Sequence, residues 1–198
     1  ADNQQAGEVC GEGLSEAIKE QWGGELEYLV LFFNSENGDL VKKRLSGMYD
    51  GLLKSGIDLP EDKVEFIDMG GGGSDTTMPA NQKMTDWLTA HPDLTKVAVG
   101  TVNTETGQGV FSAVQAAGRD DHILLATNNN GNQTLAAWEQ GDNCWLGGSA
   151  YFPTRYGDYI IPLALDILAG KEPDKIQTME HEFFTREDID KVKEEMSM

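Results

Sequence analysis

Apolar positions along the chain alternate between helical spacing and short continuous runs, and that alternation predicts helices and strands in turn. Residues 6–21 put Cys10, Leu14, Ala17 and Ile18 on one helical face, and Gly23-Gly24 ends that helix. Residues 26–33 form a nearly unbroken apolar run, the pattern of a strand buried on both sides. Val41, Leu45, Met48 and Leu52 then fall on one side of a second helix, which Gly56 closes. The cycle repeats with a strand at 64–69, a loop at 70–75, and a helix at 78–90 with Met84, Trp87 and Leu88 inward. A strand at 97–102 precedes a helix at 107–118 whose inner face carries Val110, Phe111, Val114 and Ala117. Further strands are predicted at 123–127 and 145–151, with a short helix at 134–140 between them. This order predicts βαβ units and an α/β, doubly wound, mostly parallel sheet in three layers.

After Pro153 the pattern changes. Residues 156–169 are helical but apolar almost all round, so this helix is expected to be covered on more than one side. Pro162 either kinks it or marks its first turn. The acidic tail, 185–198, reads as a short helix capped by Thr185, with Asp188 three residues on.

In such sheets ligands bind beyond the carboxyl ends of the strands. Those ends carry Asn34, the 70–75 loop, Thr101 to Asn103, Asn128 to Asn130, and Tyr151. Amides, hydroxyls, a carboxylate and an aromatic suit a neutral, hydroxyl-bearing ligand. The run Asn128-Asn129-Asn130-Gly131-Asn132 has two readings: a turn of residues that tolerate positive φ, or a set of amides offered to such a ligand.

Charge removes several classes of partner. Fifteen basic residues against 34 acidic ones give a net charge of −19, which repels phosphate backbones and anionic lipid. Nucleic acid is therefore not an expected partner. No apolar run approaches the roughly 20 residues needed to span a bilayer. The first residues are polar, so no signal peptide is visible, as in a mature chain or a fragment. Cys10 and Cys144 are too few for a disulfide framework; whether they pair is open.

Motifs for catalysis are weak. His91, His122 and His181 are scattered without metal-ligand spacing, and His91 reads as a helix-end residue. Gly70-Gly71-Gly72-Gly73-Ser74 lacks the Lys-Ser/Thr pair of a phosphate loop and reads as a flexible loop. No Gly-x-Ser-x-Gly elbow occurs. The chain is expected not to be an enzyme and to need neither metal nor cofactor.

Four segments, in order, are similar to type I periplasmic binding proteins of the ribose- and galactose-binding kind. They are Asp2-Asn3-x-x-Ala6-Gly7-x-x-x-Gly11, Arg44-Leu45-Ser46-Gly47-Met48, Trp87-Leu88-Thr89-Ala90-His91-Pro92-Asp93, and Ala116-Ala117-Gly118-Arg119. Each is loose alone; together they cover most of the chain. The resemblance implies an extracytoplasmic solute-binding protein, periplasmic or a cell-surface lipoprotein. It would capture a small polar ligand, foremost a sugar, and pass it to a membrane ABC-transporter permease. Arg44 matches an arginine that bonds sugar hydroxyls. Asp75 lies near a ligand-contacting aromatic of relatives, Asn103 at an Asn or Asp ligand, Asn128 at an Asp, and Tyr151 at a Gln-like polar residue. Asp75 and Asn128 depart from the family pattern, so the ligand need not be a simple monosaccharide.

The resemblance also implies a division of the chain. Residues 1–151 would be the C-terminal ligand-binding lobe, 152–178 a crossover helix that packs on a missing N-terminal lobe, and 179–198 a return segment and tail. The chain then reads as a fragment, with Ala1 a vector remnant. The rivals are the effector core of a lactose-repressor-type regulator, the sensory ectodomain of a chemoreceptor or histidine kinase, and a flavodoxin-like enzyme or response-regulator domain. A helix-turn-helix upstream would mark the first. A transmembrane segment beyond Met198 would mark the second, although Glu194-Glu195 reads as part of a natural terminus. A clustered acidic pocket or a phosphate loop would mark the third, and neither is evident in the sequence.

Overall fold

A computed structural model describes residues 2–70, 75–174 and 178–197. Residues 71–74 of the glycine-rich loop, Ala1, Met198 and residues 175–177, within the expected crossover at 152–178, lie outside the described residues. In chain order the elements are α1 (Asn3–Trp22), β1 (Tyr28–Phe33), α2 (Asp39–Lys54), β2 (Val64–Asp68), α3 (Thr77–Ala90), β3 (Val97–Thr101) and α4 (Thr104–Ala116). They continue with β4 (Ile123–Asn128), α5 (Asn132–Trp138), β5 (Trp145–Ala150), α6 (Tyr156–Leu168), β6 (Glu182–Thr185) and α7 (Ile189–Ser197).

The strands form one sheet in the order β2-β1-β3-β4-β5-β6, parallel except for β6, which runs antiparallel to β5. Helices α1 and α2 pack together on one face, and α3 and α4 on the other. This is the three-layer, mostly parallel α/β/α architecture that the alternating pattern predicts. Leu29, Val30, Leu31 and Phe32 of β1 are wholly buried, because helices cover the sheet on both sides. Burial of each such side chain stabilises the fold by about 1.5–3 kcal/mol.

Close helix packing explains the glycine motifs. Gly7 and Gly11 of α1 face Gly47 and Gly51 of α2. A Cβ on Gly7 would collide with the carbonyl of Arg44, and one on Gly51 with the carbonyl of Glu8. The other two resemblance motifs meet as well. Arg119 Nη1 donates to the carbonyl of His91 at 3.3 Å, Nη2 to that of Leu94, and Nε to His122 Nδ1 at 3.2 Å. The ring of His91 packs on Trp87 with centroids 4.4 Å apart.

Several expectations need correction. Helix α4 begins three residues before Gly107 because Asn103 caps it, Oδ1 accepting from Thr106 N at 2.9 Å. Ala117 is exposed at the end of that helix rather than facing inward. Strand β4 runs through Asn128, and strand β6 was not foreseen. The cover expected for α6 is not found among the described residues: none of the helix is buried, and Ile161 and Leu165 are 63% and 62% exposed. Pro162 stands inside this helix, not in its first turn. At the tail, Thr185 and Asp188 form the anticipated capping box.

Candidate ligand-binding site

The carboxyl end of β3 is the hub of the strand-end crest. Three side chains foreseen as ligand contacts meet there, two from other elements and one from the turn that follows β3. Arg44, on α2, donates from Nη1 to the carbonyl of Val102 at 3.0 Å. Asn128, at the end of β4, donates from Nδ2 to the carbonyl of Thr101 at 3.2 Å. Asn103 stands between β3 and α4, its Oδ1 accepting from Thr106 N and from Thr106 Oγ1 at 2.6 Å. The parallel order places β3 between β1 and β4, which is why α2 and β4 both reach it.

Arg44 is held on three sides. Its Nε donates to Asn3 Oδ1 at 2.8 Å, and its guanidinium carbon lies 4.9 Å from the centroid of the Tyr151 ring. A guanidinium has five N–H donors in a planar fork, so two protein hydrogen bonds leave donors for a further acceptor. The residue is only half-buried.

Asn128 is wholly buried. Its Oδ1 accepts from Ser149 Oγ at 3.3 Å and its Nδ2 also lies 3.7 Å from Met48 Sδ. The amide thus ties the ends of β3, β4 and β5 together. Asn129 adopts φ 99°, the left-handed region that asparagine tolerates. Asn130 turns its Nδ2 back to the carbonyl of Gly148 at 2.8 Å, while its Oδ1 is buried without a partner. The asparagine run therefore forms the turn, and most of its amides serve the backbone.

Asp75 is exposed and its Oδ1 accepts from Thr77 N at 3.0 Å, opening α3. Its neighbour Thr76 leads to the crest, its hydroxyl 3.5 Å from Asn103 Oδ1 and 2.8 Å from Thr106 Oγ1. Tyr151 follows β5. Burial pushes its phenol up to about 12, with the Arg44 charge pulling the other way, and its hydroxyl is buried without a partner.

Asn3 and His181 belong to the same cluster, and neither stood out as a contact residue in the sequence. His181 packs its ring on Tyr151 with centroids 4.5 Å apart, and its Nδ1 lies 2.9 Å from the carbonyl of Ala150. No local spacing could have shown this, since His181 reaches the site from the far end of the chain. Asn3 did lie inside a resemblance motif, which was the available signal.

Beside the crest a groove of about 270 Å³ opens between Asn129, Tyr151, Phe152 and α7. A larger groove, about 1000 Å³, lies where β4 and β5 begin and is rimmed by Glu16, Glu20, Asp121 and Asp142. It is at the opposite end of the sheet from the crest and shares none of its residues. No group of three or more His, Cys, Asp or Glu among the described residues is placed to hold a metal ion. No helix among them is long and apolar enough to cross a membrane. Cys10 and Cys144 are free and buried, the Sγ of Cys10 donating to the carbonyl of Thr127 at 3.2 Å.

No curated protein sequence matches the chain. Solved structures do match its fold. An ABC-transporter solute-binding protein from Agrobacterium vitis with bound allitol superposes with a TM-score of 0.75 at 18% identity, over 98% of this chain and 64% of that one. A carbohydrate-transporter solute-binding protein from Agrobacterium radiobacter, in complex with D-arabinose, gives 0.73 at 22% identity, over 98% and 63%. The fructose-binding periplasmic domain of a hybrid two-component system gives 0.69 at 21% identity, over 100% and 61%. The chain thus spans less than two thirds of the length of these proteins. The family model of the periplasmic binding protein domain matches residues 1–172, and the chain belongs to that family of binding proteins.

Proposed function

We propose that this chain is the C-terminal lobe of a two-lobed extracytoplasmic solute-binding protein that captures a sugar or sugar alcohol and delivers it to an ABC-transporter permease. The observation that carries this reading is the anchored Arg44. Asn3, the Val102 carbonyl and the Tyr151 ring fix its guanidinium at the crest, leaving N–H donors for ligand hydroxyls. Allitol, D-arabinose and fructose, the ligands of the superposed proteins, are all polyhydroxylated.

In this reading Arg44, Asn103 and Asp75 offer polar contacts, and Tyr151 braces Arg44. Asn128, with its amide already engaged, acts by holding the strand ends level. Residues 1–151 form the lobe, 152–178 cross to a second lobe, and 179–198 return. The exposed apolar side chains of α6 are the surface on which that second lobe packs. The ligand is bound as a hinge closes the two lobes, and no bond in it is made or broken. A sensory role is the second reading, supported by the superposition on a two-component-system domain.

The test is calorimetric titration of a two-lobed protein carrying this chain with pentoses, hexoses, hexitols and nucleosides. Binding of one sugar or hexitol, weakened about 100-fold by Arg44→Ala, is the expected outcome, since charge-assisted hydrogen bonds are worth about 1.5–3 kcal/mol each. A well-folded two-lobed protein that binds none of them overturns the reading.

A further inference from the structure

We propose that His181 is a positioning residue for the Arg44 site: it wedges Tyr151 under the guanidinium and ties together the three chain segments that meet there. The inference deepens the reading of the crest as a sugar site and rests on it.

Three contacts place His181. Its backbone N–H donates to Gln5 Oε1 at 3.3 Å, joining the segment before β6 to the first turn of α1. Its ring nitrogen Nδ1 lies 2.9 Å from the carbonyl of Ala150, the last residue of β5. Its ring meets that of Tyr151 at 61° with 4.5 Å between centroids. One buried residue thus joins the segment entering β6 to the start of α1 through its backbone N–H and to the segment leaving β5 through its ring.

The chemistry fixes its state. A carbonyl only accepts, so Nδ1 carries the proton and Nε2 is left as a lone-pair acceptor. Nε2 is buried and has no partner, which a neutral ring tolerates and an imidazolium does not. Burial lowers the proton affinity of this imidazole, in keeping with the neutral form.

Position follows from packing. Tyr151 has no hydrogen bond at its hydroxyl to set its ring, so the ring is located by what packs on it. Arg44 covers its face and His181 packs against it at a steep angle. Removing the imidazole removes one of those two contacts and the bond to Ala150. Tyr151 is then free to turn, and Arg44 loses the ring that holds its fork at the crest. His181 stands behind Tyr151 in this proposal, so its effect on binding passes through that ring.

The experiment has two arms. In this chain, the Arg44 Nε–H resonance is followed by ¹H–¹⁵N NMR in His181→Ala, His181→Asn and His181→Phe. In a two-lobed protein carrying this chain, affinity for the best-bound sugar or hexitol is measured with the same variants. The expected result is that His181→Ala moves the Arg44 signal towards that of a free arginine side chain and weakens binding by about tenfold, the scale of one aromatic contact and one hydrogen bond. His181→Asn, which keeps a donor, and His181→Phe, which keeps a ring, each restore part of both; should the alanine variant not fold, these two carry the test. An Arg44 signal unmoved in every folded variant, or unchanged affinity, overturns the proposal, because a merely structural histidine would lower the melting temperature alone. If the unsubstituted two-lobed protein binds no sugar, the sugar-site reading fails, and the Arg44 signal still decides whether His181 positions that residue.

Discussion

Arg44 and Tyr151 are in face-to-cation contact, the guanidinium carbon 4.9 Å from the ring centroid, although one lies on the second helix and the other follows the fifth strand. The contact is possible because Arg44 also reaches the carbonyl of Val102, at the end of the central strand β3. Helix α2, strand β3 and the segment after β5 are thereby bound at one point. The crest is a consequence of sheet order.

Arg44→Ala removes two charge-assisted hydrogen bonds and the stacking contact. Because the residue is half exposed, water recovers part of the loss, and unfolding in urea should show a fall of about 1–3 kcal/mol. Arg44→Lys should recover little of it, since one ammonium cannot serve Asn3 and Val102 from the same plane. Equal stability for the lysine variant and the native chain would refute this account of the anchor.

The fold was more legible than the site, and particular residues show why. The run from Leu29 to Phe32 and the face of Leu45, Met48 and Leu52 are local patterns, and local patterns are what periodicity reports. The start of α4 was missed because a capping side chain, Asn103, set it ahead of the first apolar turn. Strand β6 was missed because Phe183 and Phe184 are too few to show a period, and only pairing with β5 makes them a strand. For α6, the all-round apolar pattern was plain, but whether anything covers it is a tertiary fact. Of the site residues, Asn103 and Tyr151 were legible as strand ends, while Arg44 came from resemblance alone. That Asn128 is buried, and that His181 joins them, follows from long-range packing that no spacing encodes.

The facing glycines of α1 and α2 should tolerate no side chain. Alanine in place of Gly7 or Gly51 would gain about 1 kcal/mol of helix propensity. The added Cβ would meet backbone carbonyls, which cannot rotate away, and overpacking costs about 1–3 kcal/mol or more. Net destabilisation is therefore expected for both. Gly157→Ala supplies the contrast: its Cβ would meet only Ile161 Cδ1, at 3.9 Å, so thermal melting should show no loss.

The two thiols should be silent in the native state. Burial pushes Cys10 up to about 12 and raises Cys144 as well, so neither forms the thiolate that reacts. At pH 8 a chromogenic disulfide reagent should find no reactive thiol in the folded chain and two in denaturant. Finding none in denaturant without reductant would mean that the cysteines are joined.

Helix α6 should bind an apolar dye. Ile160, Ile161, Leu165 and Leu168 all stand more than half exposed on one short helix. Anilinonaphthalene sulfonate fluorescence should rise with this chain and fall in the double variant Ile161→Glu, Leu165→Glu. The melting temperature should stay where it was, because none of the helix is buried in the core. Unchanged fluorescence would place the dye elsewhere.

Acidity should weaken the fold in two separate steps, and His181 should account for part of the first. Burial lowers the pKa of its imidazole below the ordinary 6.5, the bond to the Ala150 carbonyl acting against that shift. Among the described residues, the groups acting on it with charge are Asp2 just before α1, which favours the proton, and Arg44 of α2, which opposes it. Between the lowered folded value and 6.5, the unfolded chain binds more protons than the folded one. Stability is therefore complete above about pH 6.5 and declines as pH falls from there towards the folded pKa, each unit of separation being worth about 1.4 kcal/mol. The carboxylates act later. Hydrogen bonds from Ser35 hold Asp68 below its usual 3.8, and those from Thr95 hold Glu27 below 4.5, so what they contribute is lost only as pH falls past those values. Urea unfolding between pH 7.5 and 5 should thus show a slope in the native chain that flattens in His181→Asn, while His91 and His122 remain in both. Parallel slopes would remove His181 as the cause.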